Sequence, residues 1–260
     1  MPKIYILDVT NRDGVQTAHL GLAKIEKTMI NFFLNEMGVY QSEFGFPTTR
    51  HETNYLNANL ELAEMGVLSP IRLSGWLRAI KRDVELAYEM VPGLKYLNLS
   101  ISTSDQMIHS KFQEKMSRET VIKSMVEAVE TAKACGAQGV GINAEDASRS
   151  DIDYLIEFAL AGKEAGAERF RYCDTLGYDS PFTIYERIAK IGEATQMPIE
   201  LHCHNDLGMV VANSVAGAKA AIDVGCDVFI NTTINGIGER AGNADLVSVI
   251  LAVKYASGMD

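Results

Sequence analysis

Short apolar, β-rich runs alternate with amphipathic stretches from one end of the chain to the other. Eight runs read as buried strands: Ile4–Asp8, Val39–Phe44, Ile71–Trp76, Tyr96–Ile101, Gly139–Ala144, Arg169–Asp174, Ile199–His204 and Val228–Thr233. Between them apolar residues recur three and four apart, as in Val121, Met125, Ala128, Val129 and Ala132, and in Ile152, Leu155, Ile156 and Ala159. Glycines close several helices: Gly38, Gly66, Gly136, Gly166 and Gly225 each follow a helical run. Eight such units in 260 residues predict a single-domain α/β fold over residues 1–260, the closed (β/α)8 TIM barrel. A doubly wound open sheet shares the alternation and is the second choice. The tail Leu246–Asp260 reads as the eighth helix.

Composition narrows the partners. A hydrophobic share of 47% with 22% charged residues is that of a globular protein, and no run approaches the length of a membrane span. The start of the chain lacks a signal-peptide layout, so a cytoplasmic location is expected. A net charge of −10 argues against nucleic-acid or membrane-surface binding, which needs a basic face. The four cysteines form no Cys-x-x-Cys pair and read as buried reduced thiols.

In a parallel barrel, chemistry collects where strands end and loops begin. His202 and His204 stand two apart at such an end, so both imidazoles leave the strand on one side and Cys203 leaves on the other. Two hydrogen-bonded core histidines would give the same pattern. With Asp13 and an amide such as Asn243, however, they compose a mixed oxygen and nitrogen site for a divalent ion: manganese, magnesium, zinc or iron(II). Such an ion polarises the carbonyl of a 2-oxo acid. Arg12, beside Asp13, suits a developing oxyanion, and Glu43 or Glu145 a proton carrier. The run Gly236–Asn243 lets backbone approach a ligand closely, although it is no dinucleotide fingerprint.

Three motifs carry a resemblance. Asp8-Val9-Thr10-Asn11-Arg12-Asp13-Gly14-Val15-Gln16, His202-Cys203-His204-Asn205-Asp206-Leu207-Gly208 and Asn235-Gly236-Ile237-Gly238-Glu239-Arg240-Ala241-Gly242-Asn243 resemble, in order, the signatures of the DRE-TIM metallolyases. That family includes isopropylmalate, homocitrate and citramalate synthases and hydroxymethylglutaryl-CoA lyase. The resemblance implies metal ligation by Asp13, His202 and His204 with Asn243 at or beside the ion, and a catalytic Arg12. It implies that Gln16, Glu43 and Thr175 line the oxo-acid site, with Glu145 in the same pocket. The implied reaction is condensation of acetyl-CoA, the co-substrate, with a 2-oxo acid, followed by thioester hydrolysis. Trp76-Leu77-Arg78, Ser102–Asp105 and Asn231–Asn235 resemble the homocitrate synthases of nitrogen fixation, with Arg78 as a cation for the second carboxylate of oxoglutarate. His202-Cys203-His204-Asn205-Asp206 and Gly45-Phe46-Pro47 resemble isopropylmalate synthase.

Asn11 and Val15 depart from the family's usual residues. The sequence stops after the last barrel helix, before the C-terminal region usual in these synthases, and so reads as the catalytic half of a split enzyme or as a truncation. A homodimer, or a hetero-oligomer with a separate chain supplying that region, is therefore expected. Citramalate or isopropylmalate synthesis, carbon–carbon cleavage on the same metal, and a non-catalytic subunit are the alternatives. The family's lyases carry a cysteine in the last glycine-rich loop, where Gly236–Asn243 has none.

Overall fold

The computed structural model describes residues 1–112 and 116–259. Eight parallel strands close into a barrel in sequence order, β1 (Ile4–Asp8), β2 (Gln41–Gly45), β3 (Arg72–Arg78), β4 (Tyr96–Ser102), β5 (Gly139–Glu145), β6 (Arg169–Asp174), β7 (Ile199–Cys203) and β8 (Val228–Thr232). Closure is made by β1 against β8, with Ile4 beside Val228 and Asp8 beside Thr232. The open-sheet alternative is therefore excluded. Among the described residues nine α-helices surround the barrel: α1 (Lys24–Glu36), α2 (Thr53–Glu64), α3 (Lys81–Met90), α4 (Asp105–Lys111), α5 (Arg118–Ala134), α6 (Ile152–Glu164), α7 (Pro181–Thr195), α8 (Val210–Asp223) and α9 (Leu246–Leu251).

All eight predicted strands are present, and β1 and β6 have the predicted ends. Ser104 starts the short α4 by accepting the Met107 N–H at 3.2 Å. One helical expectation changes. The tail is not one helix, because α9 ends at Leu251 and passes into a wider π-type turn over Ala252–Ala256. Asp260 lies outside the described residues.

The predicted helix–glycine–strand junctions are real turns. Gly136 and Gly166 adopt φ of 97° and 101°, a region costly for any residue with a Cβ. The apolar core lies between barrel and helices: Ile142, Phe170 and Leu201 point outward from β5, β6 and β7 onto Phe158 of α6 and Ile184 and Ile188 of α7. Packing is close enough that a Cβ on Gly162 of α6 would overlap Ile142. Cys203 belongs to this outer core, on the side opposite the histidines. Cys135 is exposed rather than buried, because it caps α5 at the surface.

The barrel interior is polar. Arg169, Arg171 and Glu200 project inward from β6 and β7 and meet Gln41 and Glu43 from β2 and Asn231 from β8, and Asn98 from β4 donates to Glu43. Barrels of this type usually fill this space with branched apolar side chains. Here buried ion pairs replace them, and the top of the network is the floor of a cavity.

Candidate active site

At the carboxyl ends of the strands lies a cavity of about 220 Å³. Its lining includes Arg12, Asp13, Gln16, Glu145, Thr175, His202 and His204, brought together from β1, β5, β6 and β7 and the loops that follow them. A larger apolar groove on the outer side of α7 and α8 holds none of the predicted site residues.

Asp13, His202 and His204 converge. Their ligand atoms lie within 4.8 Å of one another and all three residues are buried. The Nε2 atoms of His202 and His204 stand 3.5 and 3.9 Å from Asp13 Oδ2, with the rings nearly perpendicular at 88°. Donors bound at about 2.1 Å to one ion at tetrahedral or octahedral angles stand roughly 3.0 to 3.5 Å apart, so this spacing suits a single divalent ion with little adjustment. Asn243 donates Nδ2 to Asp13 Oδ1 at 2.8 Å, while its own Oδ1 is buried without a partner among the described residues. An orphaned amide oxygen beside a carboxylate and two imidazoles fits a metal centre better than a closed hydrogen-bond network.

The charge states agree with that fit. Burial opposes ionisation of Asp13, but Arg12 and the two imidazoles hold its carboxyl well below the ordinary range. Burial, reinforced by the neighbouring His202, pushes His204 down to about 3, so its ring is neutral and available as a ligand.

Arg12 is held from two sides. Its Nε donates to Glu43 at 2.6 Å and its Nη1 to Asp13 at 2.7 Å, with the guanidinium 5.6 Å from the centre of the Trp76 ring. Its Nη2 has no partner among the described residues. Glu43 also accepts from Arg171 at 2.7 Å and from Asn98 at 2.9 Å. The carboxyl stays at about 2 because Arg171 and Arg12 outweigh its burial. This geometry favours anchoring of the Arg12 guanidinium over proton transfer at Glu43. An anion gripped by three donors beneath Arg12 neither holds nor readily takes a proton near neutrality.

Neither Glu43 nor Arg78 is part of the cavity lining. Arg78 is exposed at the end of β3 and forked onto Asp83 at 2.7 and 2.9 Å. Gln16 donates to Glu239 at 2.9 Å across the mouth. Thr175 accepts the Asp146 N–H at 2.8 Å. Glu145 accepts from Ser102 at 2.5 Å and from Lys111 at 2.7 Å.

The cavity also contains residues to which the motifs gave no role: Phe46, Trp76, Ser100, Asn143, Cys173 and Glu239. Both amide atoms of Asn143 are buried without partners among the described residues. The available signal was alternation. Ser100 and Ser102, Asn143 and Glu145, and Arg171 and Cys173 are pairs two apart on strands whose other face is mostly apolar.

Relatives share this architecture. A citrate (Re)-synthase from Dehalococcoides mccartyi is 63% identical over 99% of this chain and 62% of its own length. A 2-isopropylmalate synthase from Caldanaerobacter subterraneus is 44% identical over 99% of this chain and 63% of its own length. The chain thus spans less than two thirds of either relative. The HMG-CoA lyase structure from Brucella melitensis superposes with a TM-score of 0.77 at 16% identity, covering 100% of this chain and 93% of the lyase, a likeness of fold. The HMGL-like family profile matches residues 3–259, nearly the whole barrel with its Asp13, His202 and His204 cluster, and the chain belongs to that family.

Proposed function

We propose that this chain is the catalytic barrel of a divalent-metal-dependent synthase that condenses acetyl-CoA with oxaloacetate and hydrolyses the thioester to give citrate and coenzyme A. The observation that carries the reading is the convergence of Asp13, His202 and His204 beside Arg12 at the floor of a cavity of small-molecule size. The choice of acceptor rests on the relative at 63% identity, which is named for citrate. Citrate is the sum of an acetyl unit and a four-carbon oxo dicarboxylate. Oxaloacetate therefore replaces the oxoglutarate of the sequence reading.

Asp13, His202 and His204 would hold the ion, with Asn243 Oδ1 turned towards it. A bound divalent cation supplies Lewis acidity at the acceptor's oxo group. Arg12 presents its unengaged Nη2 to the oxygen that gains charge as the carbon–carbon bond forms, and Glu43 keeps that guanidinium in place. Ser100, Asn143 and Thr175 offer neutral hydrogen-bond partners to the acceptor's carboxylates. Glu145, oriented by Ser102 and Lys111, is the cavity carboxylate suited to take a proton from the acetyl methyl group. Association with a second copy, or with a chain supplying the remainder of the relatives' length, is part of the same proposal.

The test is thiol release from acetyl-CoA by the purified chain with manganese or magnesium, screened across oxaloacetate, oxoglutarate, oxoisovalerate and pyruvate. Release with oxaloacetate at least tenfold above the others is expected. Preference for oxoglutarate would restore a homocitrate synthase. Silence with all four, in a folded chain that binds metal, would point to a completing partner.

A further inference from the structure

Arg240 belongs to the third motif, yet the chemistry above leaves it without a role. Its backbone φ is 54°, the left-handed region that a residue with a Cβ seldom occupies. Its side chain spans three loops. Nε and Nη2 donate to Asp206 Oδ1 and Oδ2 at 2.8 and 3.0 Å, a forked pair onto the loop after β7. Nη2 also donates to the Thr175 carbonyl at 2.5 Å, in the loop after β6. Nη1 meets Glu239 in its own loop at 3.2 Å.

The backbones beneath this clasp are tightly joined. Asn205 donates its N–H to the Gly242 carbonyl at 2.9 Å, and His204 forms an isolated bridge with Asn243. A Cβ on Gly177 would stand 2.7 Å from the His204 carbonyl and 2.8 Å from the Asp206 nitrogen. The inner ends of the same loops face the cavity. Thr175 and Glu239 line it, Asn243 donates to Asp13, and the Glu239 N–H lies 3.4 Å from Asp13 Oδ1.

We propose that Arg240 is a positioning residue that fastens the loops after β6, β7 and β8 into one rim and so holds Asn243 and Glu239 against the Asp13, His202 and His204 cluster. Arg240 is absent from the cavity lining and acts through its neighbours. The forked pair with Asp206 is partly exposed, so its worth to global stability is small and its effect falls on loop geometry. The inference rests on the metal reading of the cluster.

The experiment titrates the full chain with Mn²⁺ alone, by calorimetry and by the electron paramagnetic resonance spectrum of the bound ion. It compares the wild type, Arg240→Gln, Arg240→Lys, Asp206→Asn and the double variant Arg240→Gln/Asp206→Asn, with thermal melts as the folding control. Arg240→Gln and Asp206→Asn are each expected to weaken Mn²⁺ binding by at least tenfold, within the range typical of groups that orient metal ligands. The double variant is expected to be no weaker than the weaker single variant, because one contact is being removed twice. Arg240→Lys recovers only part of the affinity, since an ammonium cannot fork onto Asp206 and reach Thr175 together. Wild-type affinity and spectrum in Arg240→Gln, full rescue by lysine, or additive losses would overturn the proposal. A wild type that binds no Mn²⁺ would overturn the metal reading. Amide hydrogen exchange then decides the clasp: faster exchange at Asn205 and Glu239 in Arg240→Gln supports it, and unchanged exchange refutes it.

Discussion

Replacing Glu43 by glutamine removes one charge from the barrel interior while keeping the side chain's shape. In the wild type the interior places Arg12, Arg169 and Arg171 against Asp13, Glu43 and Glu200, three charges of each sign. The variant leaves three guanidiniums facing two carboxylates. The Glu43 carboxyl is held at about 2 against an ordinary 4.5, although burial alone would raise it. At about 1.4 kcal/mol per pKa unit that difference corresponds to about 3 kcal/mol of stabilisation. Breaking a buried ion pair by removing one partner costs about 3–5 kcal/mol, so the two figures agree. The folded pKa is depressed, so this stability is present above pH 4.5 and is lost as pH falls towards 2. Urea unfolding of wild type and Glu43→Gln should therefore differ by about 3 kcal/mol at pH 7 and converge as pH approaches 2. A difference below about 1 kcal/mol at pH 7 would refute the anchoring role. So would a variant of normal stability that had lost only kcat, which would return Glu43 to proton transfer.

Three further outcomes are expected. Burial lifts Asp8 to about 7 despite two hydrogen bonds with Thr10, so the folded chain keeps a proton that the unfolded chain sheds, and stability declines as pH rises from about 4 to 7, by at most roughly 4 kcal/mol. Asp8→Asn should flatten that slope in melts between pH 5 and 8, and parallel curves would contradict it. In Gly238→Ala the new Cβ collides with Asn243 Nδ2 and lies 3.0 Å from Asp13 Oδ1, so Mn²⁺ affinity should fall at least tenfold with little change in melting; unchanged affinity would show that Asn243 has no bearing on the ion. Glu145→Gln should reduce kcat about a hundredfold or more while leaving Mn²⁺ binding intact, and a loss smaller than tenfold would remove Glu145 from proton transfer.

Strand order and number were legible because each strand is a local run of apolar residues and the alternation with helices repeats eight times. Ends were less legible. Val39 and Tyr40 read as strand but precede β2, and His204 falls just past β7, where it is bridged to Asn243. Asp13, His202 and His204 could be found because strand ends and two-residue spacing place them, even though 189 positions separate Asp13 from His202. The roles of Glu43 and Arg78 were not legible. Barrel closure brings Glu43 to Arg171, 128 positions away, and no local pattern announces that partner. The surface pairing of Arg78 with Asp83, five residues on, was equally unannounced. The inward alternation of Arg169, Arg171 and Cys173 was readable in principle, since the intervening Phe170 and Tyr172 belong on the face that packs against helices.

The central claim is metal-supported condensation at Asp13, His202 and His204. The most direct measurement is citrate formation from isotope-labelled acetyl-CoA and oxaloacetate, followed by mass spectrometry with wild type and His202→Ala, each with Mn²⁺ and with chelator. The account predicts labelled citrate only from metal-loaded wild type, with His202→Ala folded, unable to bind Mn²⁺ and inactive. Full turnover by His202→Ala, or by the chelated wild type, would contradict it.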